Sequence, residues 1–143
     1  DTTALVVHDV GFRDVVVEVL VRADTCTSTC NFAIVTHLSP PSGAMSDATE
    51  DNGPGQINIH NLVQNAAGSP LSSGPFTPFT SSAQPLRLRA QRANDALRCD
   101  GLFTGINGTA TLALQPGAGT EVGLRFRRLS GAIDAVAVYE LLP

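Results

Sequence analysis

The feature that most constrains this chain is an alternation of apolar side chains with a period of two. It is clearest at Asp14–Arg22, DVVVEVLVR, where Val15, Val17, Val19 and Val21 point one way and Val16, Glu18, Leu20 and Arg22 the other. Successive side chains of a strand point to opposite faces, so this run reads as a β-strand. Five of its nine residues are valine, which is stiff at χ1 and suits a pleated surface. Helical periodicity is almost absent from the chain.

The pattern recurs. Asn31–Leu38 reads as a second strand, apolar on both faces, and Gln56–Leu62 as a third with Ile57 and Ile59 inward. Leu86, Leu88 and Ala90 alternate with Arg87, Arg89 and Gln91, and Asn94-Asp95 then makes a tight turn into Leu97, Cys99 and Phe103. Asn107-Gly108, Pro116–Gly119 and Ser130-Gly131 mark further turns between Ala110–Leu114, Val122–Phe126 and Ile133–Leu142. The last of these runs is apolar on both faces and is expected to be covered. Ser39–Gly55 and Ala66–Pro85 break the rhythm with Ser, Gly and Pro, and read as long loops at 39–55 and 66–85. Phe76 and Phe79 would be loop aromatics. The expectation is one all-β domain over 1–143, an antiparallel two-sheet sandwich of the jelly-roll type.

Composition narrows the class. Apolar residues are 43% of the chain, enough for a core, but no run approaches the ~20 apolar residues of a membrane span. A net charge of −4 argues against nucleic acid as the main partner. Of the three cysteines, Cys26 and Cys30 flank a short polar segment, and a local disulfide there implies an oxidising compartment, extracellular or at the cell surface. Two other pairings are open to three cysteines. With the local bond, Cys99 is a lone buried thiol.

Three segments resemble the laminin-G-like, concanavalin A-like modules of secreted bacterial proteins. GFRDVVVEVLVRAD (Gly11–Asp24) is similar to their early strand, LRLRAQRANDALRCDG (Leu86–Gly101) to their strand–turn–strand, and VGLRFRRLSGAIDAVAVYEL (Val122–Leu141) to their closing pair. The resemblance implies a jelly-roll of two antiparallel sheets with an adhesion, glycan-binding or accessory role. Some relatives are glycoside hydrolases or lyases, with paired carboxylates in an E-x-D-x-x-E strand. The four glutamates here, at 18, 50, 121 and 140, form no such motif. No GxSxG elbow is present either, so an enzyme is not expected. His8, His37 and His60 read as strand-end or surface residues, with a His37–His60 metal pair as the alternative. The family's use of oxygen ligands near the terminal strands makes Asp9, Asp14 and Asp134 the acids for a structural calcium, although Ca²⁺ takes about six to eight oxygens. No other cofactor is indicated. Asn107-Gly108-Thr109 is a glycosylation sequon and, first of all, a turn signal.

Charge is unevenly spread: residues 1–85 carry a net −6 and residues 86–128 a net +4. Strand parity points Arg87, Arg89, Arg98, Arg125 and Arg127 outward. If their strands share a sheet they form a cationic face, either solvated and paired with Asp95, Asp100 and Glu121, or gripping acidic glycan, or meeting another protein surface. The last would let the acidic half of one copy meet the basic face of the next, giving a homo-oligomer or filament. With no Trp and one Tyr, Tyr139, a stacking sugar platform is poorly supplied. The function expected is a noncatalytic adhesion or recognition module, with acidic glycan as ligand. The alternative is a self-assembling structural subunit of a surface layer or filament.

Overall fold

The computed structural model describes residues 3–39, 42–50, 55–64, 66–76, 85–103, 106–113 and 119–142. Side chains at 3, 27, 37–39, 103, 106 and 107 lie outside that description. The described residues form β1 (Thr3–Asp9), β2 (Val15–Ser39), β3 (Ser42–Glu50), β4 (Gly55–Val63), β5 (Ala66–Phe76), β6 (Leu86–Ala93), β7 (Ala96–Phe103), β8 (Ile106–Ala113) and β9 (Glu121–Glu140). They contain no helix long and apolar enough to cross a membrane.

Every pairing is antiparallel, and hydrogen bonds join all nine strands into one sheet with the path β5-β4-β3-β2-β6-β7-β8. The organising unit is the β2–β9 ribbon. Along one flank β2 pairs with β9 from Val15↔Glu140 to Thr36↔Val122. Along the other flank its first half pairs with β6 and its second half with β3. The sheet folds back on itself about this ribbon, so β4 and β5 pack against β7 and β8. Val15, Val17, Val19, Val21, Phe32, Ile34, Ile57, Ile59, Leu86, Leu88, Leu97 and Cys99 share the core between.

In β2 the side chains that enter the main core are odd from Val15 to Val21 and even from Cys30 to Ile34. An odd number of extra residues must enter the strand between the two. The ladder skips from Cys26↔Leu129 to Asn31↔Arg127, and Ser28 and Arg128 take φ values of 76° and 51°. Cys26 and Cys30 are disulfide-bonded across this step, with Cα atoms 5.6 Å apart. An extended strand would hold them about 13 Å apart, so the bond closes a bulge and fixes the place where β2 changes its inward face.

Several local expectations meet their elements. The Asn94-Asp95 turn has positive φ at both residues, 49° and 59°, as a two-residue hairpin turn of that hand requires. Ile57 and Ile59 are inward. Other expectations are corrected. Ser42–Glu50 and Ala66–Phe76 are strands, not loops. β3 is buried on both faces from Gly43 to Ala48, which removes the polar–apolar alternation that marks a half-exposed strand. Phe76 is a core residue, 6% exposed, and its ring lies over the cross-strand glycines Gly101 and Gly108. Asn107-Gly108 and Ser130-Gly131 lie within β8 and β9 rather than at turns. Phe79 and residues 116–118 of the expected Pro116–Gly119 turn lie outside the described residues.

Two outcomes follow from this packing. A Cβ on Gly101 would stand 2.4 Å from Ile57 Cδ1 and 2.8 Å from the Phe76 ring. Gly101→Ala is therefore expected to lose about 1–3 kcal/mol through overpacking, read as a lower denaturant midpoint with unchanged slope. Reducing the Cys26–Cys30 bond is expected to cost about 2 kcal/mol by the loop-entropy relation for so short a loop, read by comparing unfolding with and without reductant.

Candidate functional site

The five arginines do not form one face. Arg87 and Arg89 on β6 and Arg98 on β7 share the side of their strands turned away from the core, with Arg89 opposite Asp100 and Gln91 opposite Arg98. Arg125 and Arg127 sit on the first half of β9 beside Asn31 and Ala33, in the other part of the folded sheet. Arg87 and Arg98 are exposed as parity expects, but Arg125 is buried, and long-range pairing puts the β6–β7 arginines and the β9 arginines in different parts of the folded sheet.

The β6–β7 arginines are also engaged. Arg87 Nη2 donates to Glu18 Oε2, and this contact holds the guanidinium above its ordinary pKa. Arg89 lies 3.4 Å from the same carboxylate and donates to Gln91 at 3.1 Å. Arg98 Nε donates to both oxygens of Asp100 at 2.9 Å, and Thr109 Oγ1 donates to Oδ1 at 2.8 Å.

The three acids proposed for calcium do not converge. Asp9 accepts from Thr120 Oγ1 at 2.6 Å and from the Gly11 amide at 3.0 Å, which lowers its pKa. Asp14 lies 3.4 Å from Arg13, and Asp134 accepts from Arg22 Nε and Nη2 at 2.7 and 2.8 Å. Among the described residues no group of three His, Cys, Asp or Glu side chains is placed to hold a metal ion. The side chains of His37 and Asn107 lie outside the described residues. Cys99 is buried in the core, and burial, with Asp47 adding to it, pushes its thiol well up.

What the structure does bring together is a polar cluster on the other face of β3 and β4. Register sets Arg125, Ala33, Asp47 and Asn58 side by side across β9, β2, β3 and β4. Asn31 lies two residues before Ala33 on the same face, and His60 two after Asn58. All five polar residues are buried: Asp47 0%, Asn58 2%, Asn31 6%, Arg125 8% and His60 9% exposed. They lie beside a small apolar group, Ala33, Val35, Met45 and Leu62, separate from the main core. Asn58 Nδ2 donates to Asp47 Oδ1 at 3.1 Å, His60 Nδ1 contacts the Gly68 carbonyl at 2.9 Å, and Arg125 Nη1 donates to Asn31 Oδ1 at 3.2 Å. Asp47 Oδ2 stands 3.2 Å from His60 Nε2 as an ion pair without hydrogen-bond alignment.

Hydrogen-bonding capacity here is not exhausted. Asp47 Oδ2, Asn58 Oδ1, His60 Nε2 and Arg125 Nε have no hydrogen-bond partner among the described residues. Such atoms cost stability when buried and call for a partner. Gln56 and Ser73, exposed on the same face of β4 and β5, border the cluster. Sequence reading missed it because Asp47 lies in a segment that reads as a loop. The usable signal was the parity set Gln56, Asn58 and His60, turned away from Ile57 and Ile59.

No family model matches the sequence, and no curated protein matches it. Solved structures do match. The legume lectin-like domain from Entamoeba histolytica superposes with a TM-score of 0.70 at 10% identity, covering 98% of this chain and 79% of that one. The toad ovary galectin in complex with thio-digalactose gives 0.61 at 12%, covering 97% and 99%. The carbohydrate-binding module CBM66 from Bacillus subtilis gives 0.63 at 12%, covering 96% and 82%. This chain has a lectin-type β fold. The expectation of an all-β, lectin-like fold is thus met, and at these identities the likeness carries nothing finer, neither laminin-G-like nor secreted bacterial.

Within this lectin-type fold His60 makes the cluster sensitive to pH. Burial opposes its charge, but the Asp47 carboxylate and the Gly68 carbonyl outweigh that and raise its pKa above 6.5. The charged imidazole therefore stabilises the fold below the unfolded pKa, and that contribution is lost as pH rises through the folded value. The melting temperature is expected to fall from about pH 6 to 8 in the parent protein and to fall less in His60→Gln, followed by circular dichroism.

Proposed function

We propose that this chain is a noncatalytic glycan-recognition module, a two-sheet jelly roll of the concanavalin A-like type working outside the cell or on its surface. Its site is the β3–β4 cluster. The observation that supports this reading is the polar cluster that register assembles from Arg125, Asp47, Asn58 and His60, bordered by the exposed Gln56 and Ser73, with Asn58 Oδ1 and Arg125 Nε left without a hydrogen-bond partner among the described residues. Sugar hydroxyls both donate and accept, so a mixed set of carboxylate, amide, imidazole and guanidinium suits them. Arg127 follows Arg125 on the same face of β9, which favours an acidic substituent on the sugar. The fold supports the reading: among the matching structures are a galectin described with thio-digalactose and a carbohydrate-binding module.

The chemistry of the cluster favours binding over cleavage. Glycoside hydrolysis generally needs two carboxyl groups across the scissile bond, and this cluster contributes one, Asp47, already engaged by Asn58 and His60. The disulfide fits an oxidising environment. Arg87, Arg89 and Arg98 have their charge met by Glu18 and Asp100 and are assigned a structural role.

A glycan array spanning neutral and acidic oligosaccharides, followed by calorimetric titration, tests this. Asn58→Ala and Arg125→Ala are each expected to weaken binding about tenfold or more, in line with ~1–3 kcal/mol per lost buried hydrogen bond. The double variant Arg87→Ala/Arg98→Ala is expected to bind as the parent does, with thermal melts as the control for folding. Absence of any glycan binding by the parent, or loss only in the Arg87/Arg98 variant, defeats the proposal.

A further inference from the structure

His60 stands between two hydrogen-bond acceptors. Its Nδ1 lies 2.9 Å from the Gly68 carbonyl oxygen on β5, and its Nε2 lies 3.2 Å from Asp47 Oδ2 on β3. A neutral imidazole has one N–H and one bare nitrogen, so it serves only one of the two. The imidazolium has two N–H groups and serves both. The neighbours of the ring therefore suit its charged form. The electrostatics agree: burial works against the cation, yet the Asp47 carboxylate and the Gly68 carbonyl together raise the pKa above 6.5.

The two acceptors are not equal. Asp47 is a fully buried carboxylate whose other oxygen accepts from Asn58. Gly68 is exposed, so water replaces a donor lost there. A buried charge left without a donor costs more than a carbonyl that water reaches. When His60 gives up a proton, the remaining one is thus kept on Nε2, toward the carboxylate, and the contact with Gly68 is lost.

That contact falls where the β4–β5 ladder is irregular. β5 ends the hydrogen-bonded path of the sheet. Its register with β4 shifts on both sides of His60↔Pro70, between Ile59↔Ser72 and Leu62↔Ala67, and Gly68, Ser69 and Leu71 fall outside it. Pro70 has no N–H to donate. Every residue from Ala66 to Leu71 is exposed. We propose that His60 is a proton-operated latch on the end strand β5. Charged, it bridges Asp47 and Gly68 and pins the stretch Ala67–Leu71; neutral, it keeps Asp47 and releases that stretch.

Few charges act on the ring. Asp47 from β3 favours the cation and Arg125 from β9 opposes it. β5 carries no titratable side chain, and β4 carries none besides His60. The same face of β2 presents Asn31, Ala33 and, further along, His37, whose side chain lies outside the described residues. Because the pKa of His60 is raised, the latch is closed below that value and open above it. The latch borders the polar cluster but stands whether or not the cluster binds glycan.

Nitrogen-15 and carbon-13 NMR of the ligand-free chain, from about pH 5 to 8.5, reads both ends of the latch. At the acid end both ring nitrogens of His60 are expected to carry protons, and at the alkaline end Nε2 alone. The Gly68 carbonyl and the amides of Ser69 and Leu71 are expected to shift with the same midpoint as the ring. His60→Gln should abolish these β5 shifts, whereas His8→Gln, at an exposed position on β1, leaves them in place. Asp47→Asn is expected to lower the midpoint by about one unit or more, and Arg125→Gln to raise it. If Asp47→Asn does not fold, the rise in Arg125→Gln reads the same coupling. A ring that stays neutral throughout, a proton kept on Nδ1 at alkaline pH, or β5 shifts that survive in His60→Gln would each overturn the proposal.

Discussion

The β2–β9 ribbon is the constraint on which the rest of the molecule depends. One flank of β2 stays with β9 for nearly its whole length, while the other passes from β6 to β3. That arrangement requires the strand to change which parity faces inward, and the closed bulge between Cys26 and Cys30 is where it does so. Without the change, either Val15–Val21 or Phe32–Ile34 would turn away from the core. A one-residue slip in a strand exchanges its buried and exposed faces, so the position of this bulge decides both outer surfaces as well as the core.

The cluster is one consequence. Because β2 turns Phe32 and Ile34 inward, Asn31 and Ala33 face the other way, beside Arg125, Asp47 and Asn58. The small side chain of Ala33 separates the cation from the acid. Arg125 has its pKa lowered, first by burial and then by Arg127, with Asp47 acting in the opposite sense. A group of polar side chains kept buried with atoms unspent is a cost the fold carries.

An exposed apolar edge is the other consequence. The core is closed where β4 and β5 meet β7 and β8, by Phe76 and Ile57 set against Gly101 and Gly108. On the opposite flank β1 and the end of β9 leave apolar side chains in contact with water.

Local pattern in the sequence determined the class and many of the faces. Val15–Val21, Ile57 and Ile59, and Leu86–Ala90 are inward as their alternation requires, and the Asn94-Asp95 turn has the backbone those residues accommodate. The spacing of Cys26 and Cys30 marked a local disulfide. β3 was not legible, because a strand buried on both faces has no alternation to read, and so neither was Asp47 as a member of a site. Nor could parity tell that Arg87 and Arg125 would lie on different faces, or that Ile133–Val138 would be bare. Alternation is a property of neighbours along the chain and says which way a side chain points relative to its own strand. Which strands lie beside it, and whether anything lies beyond the last one, depends on pairings between residues a hundred positions apart, and only the tertiary structure decided those.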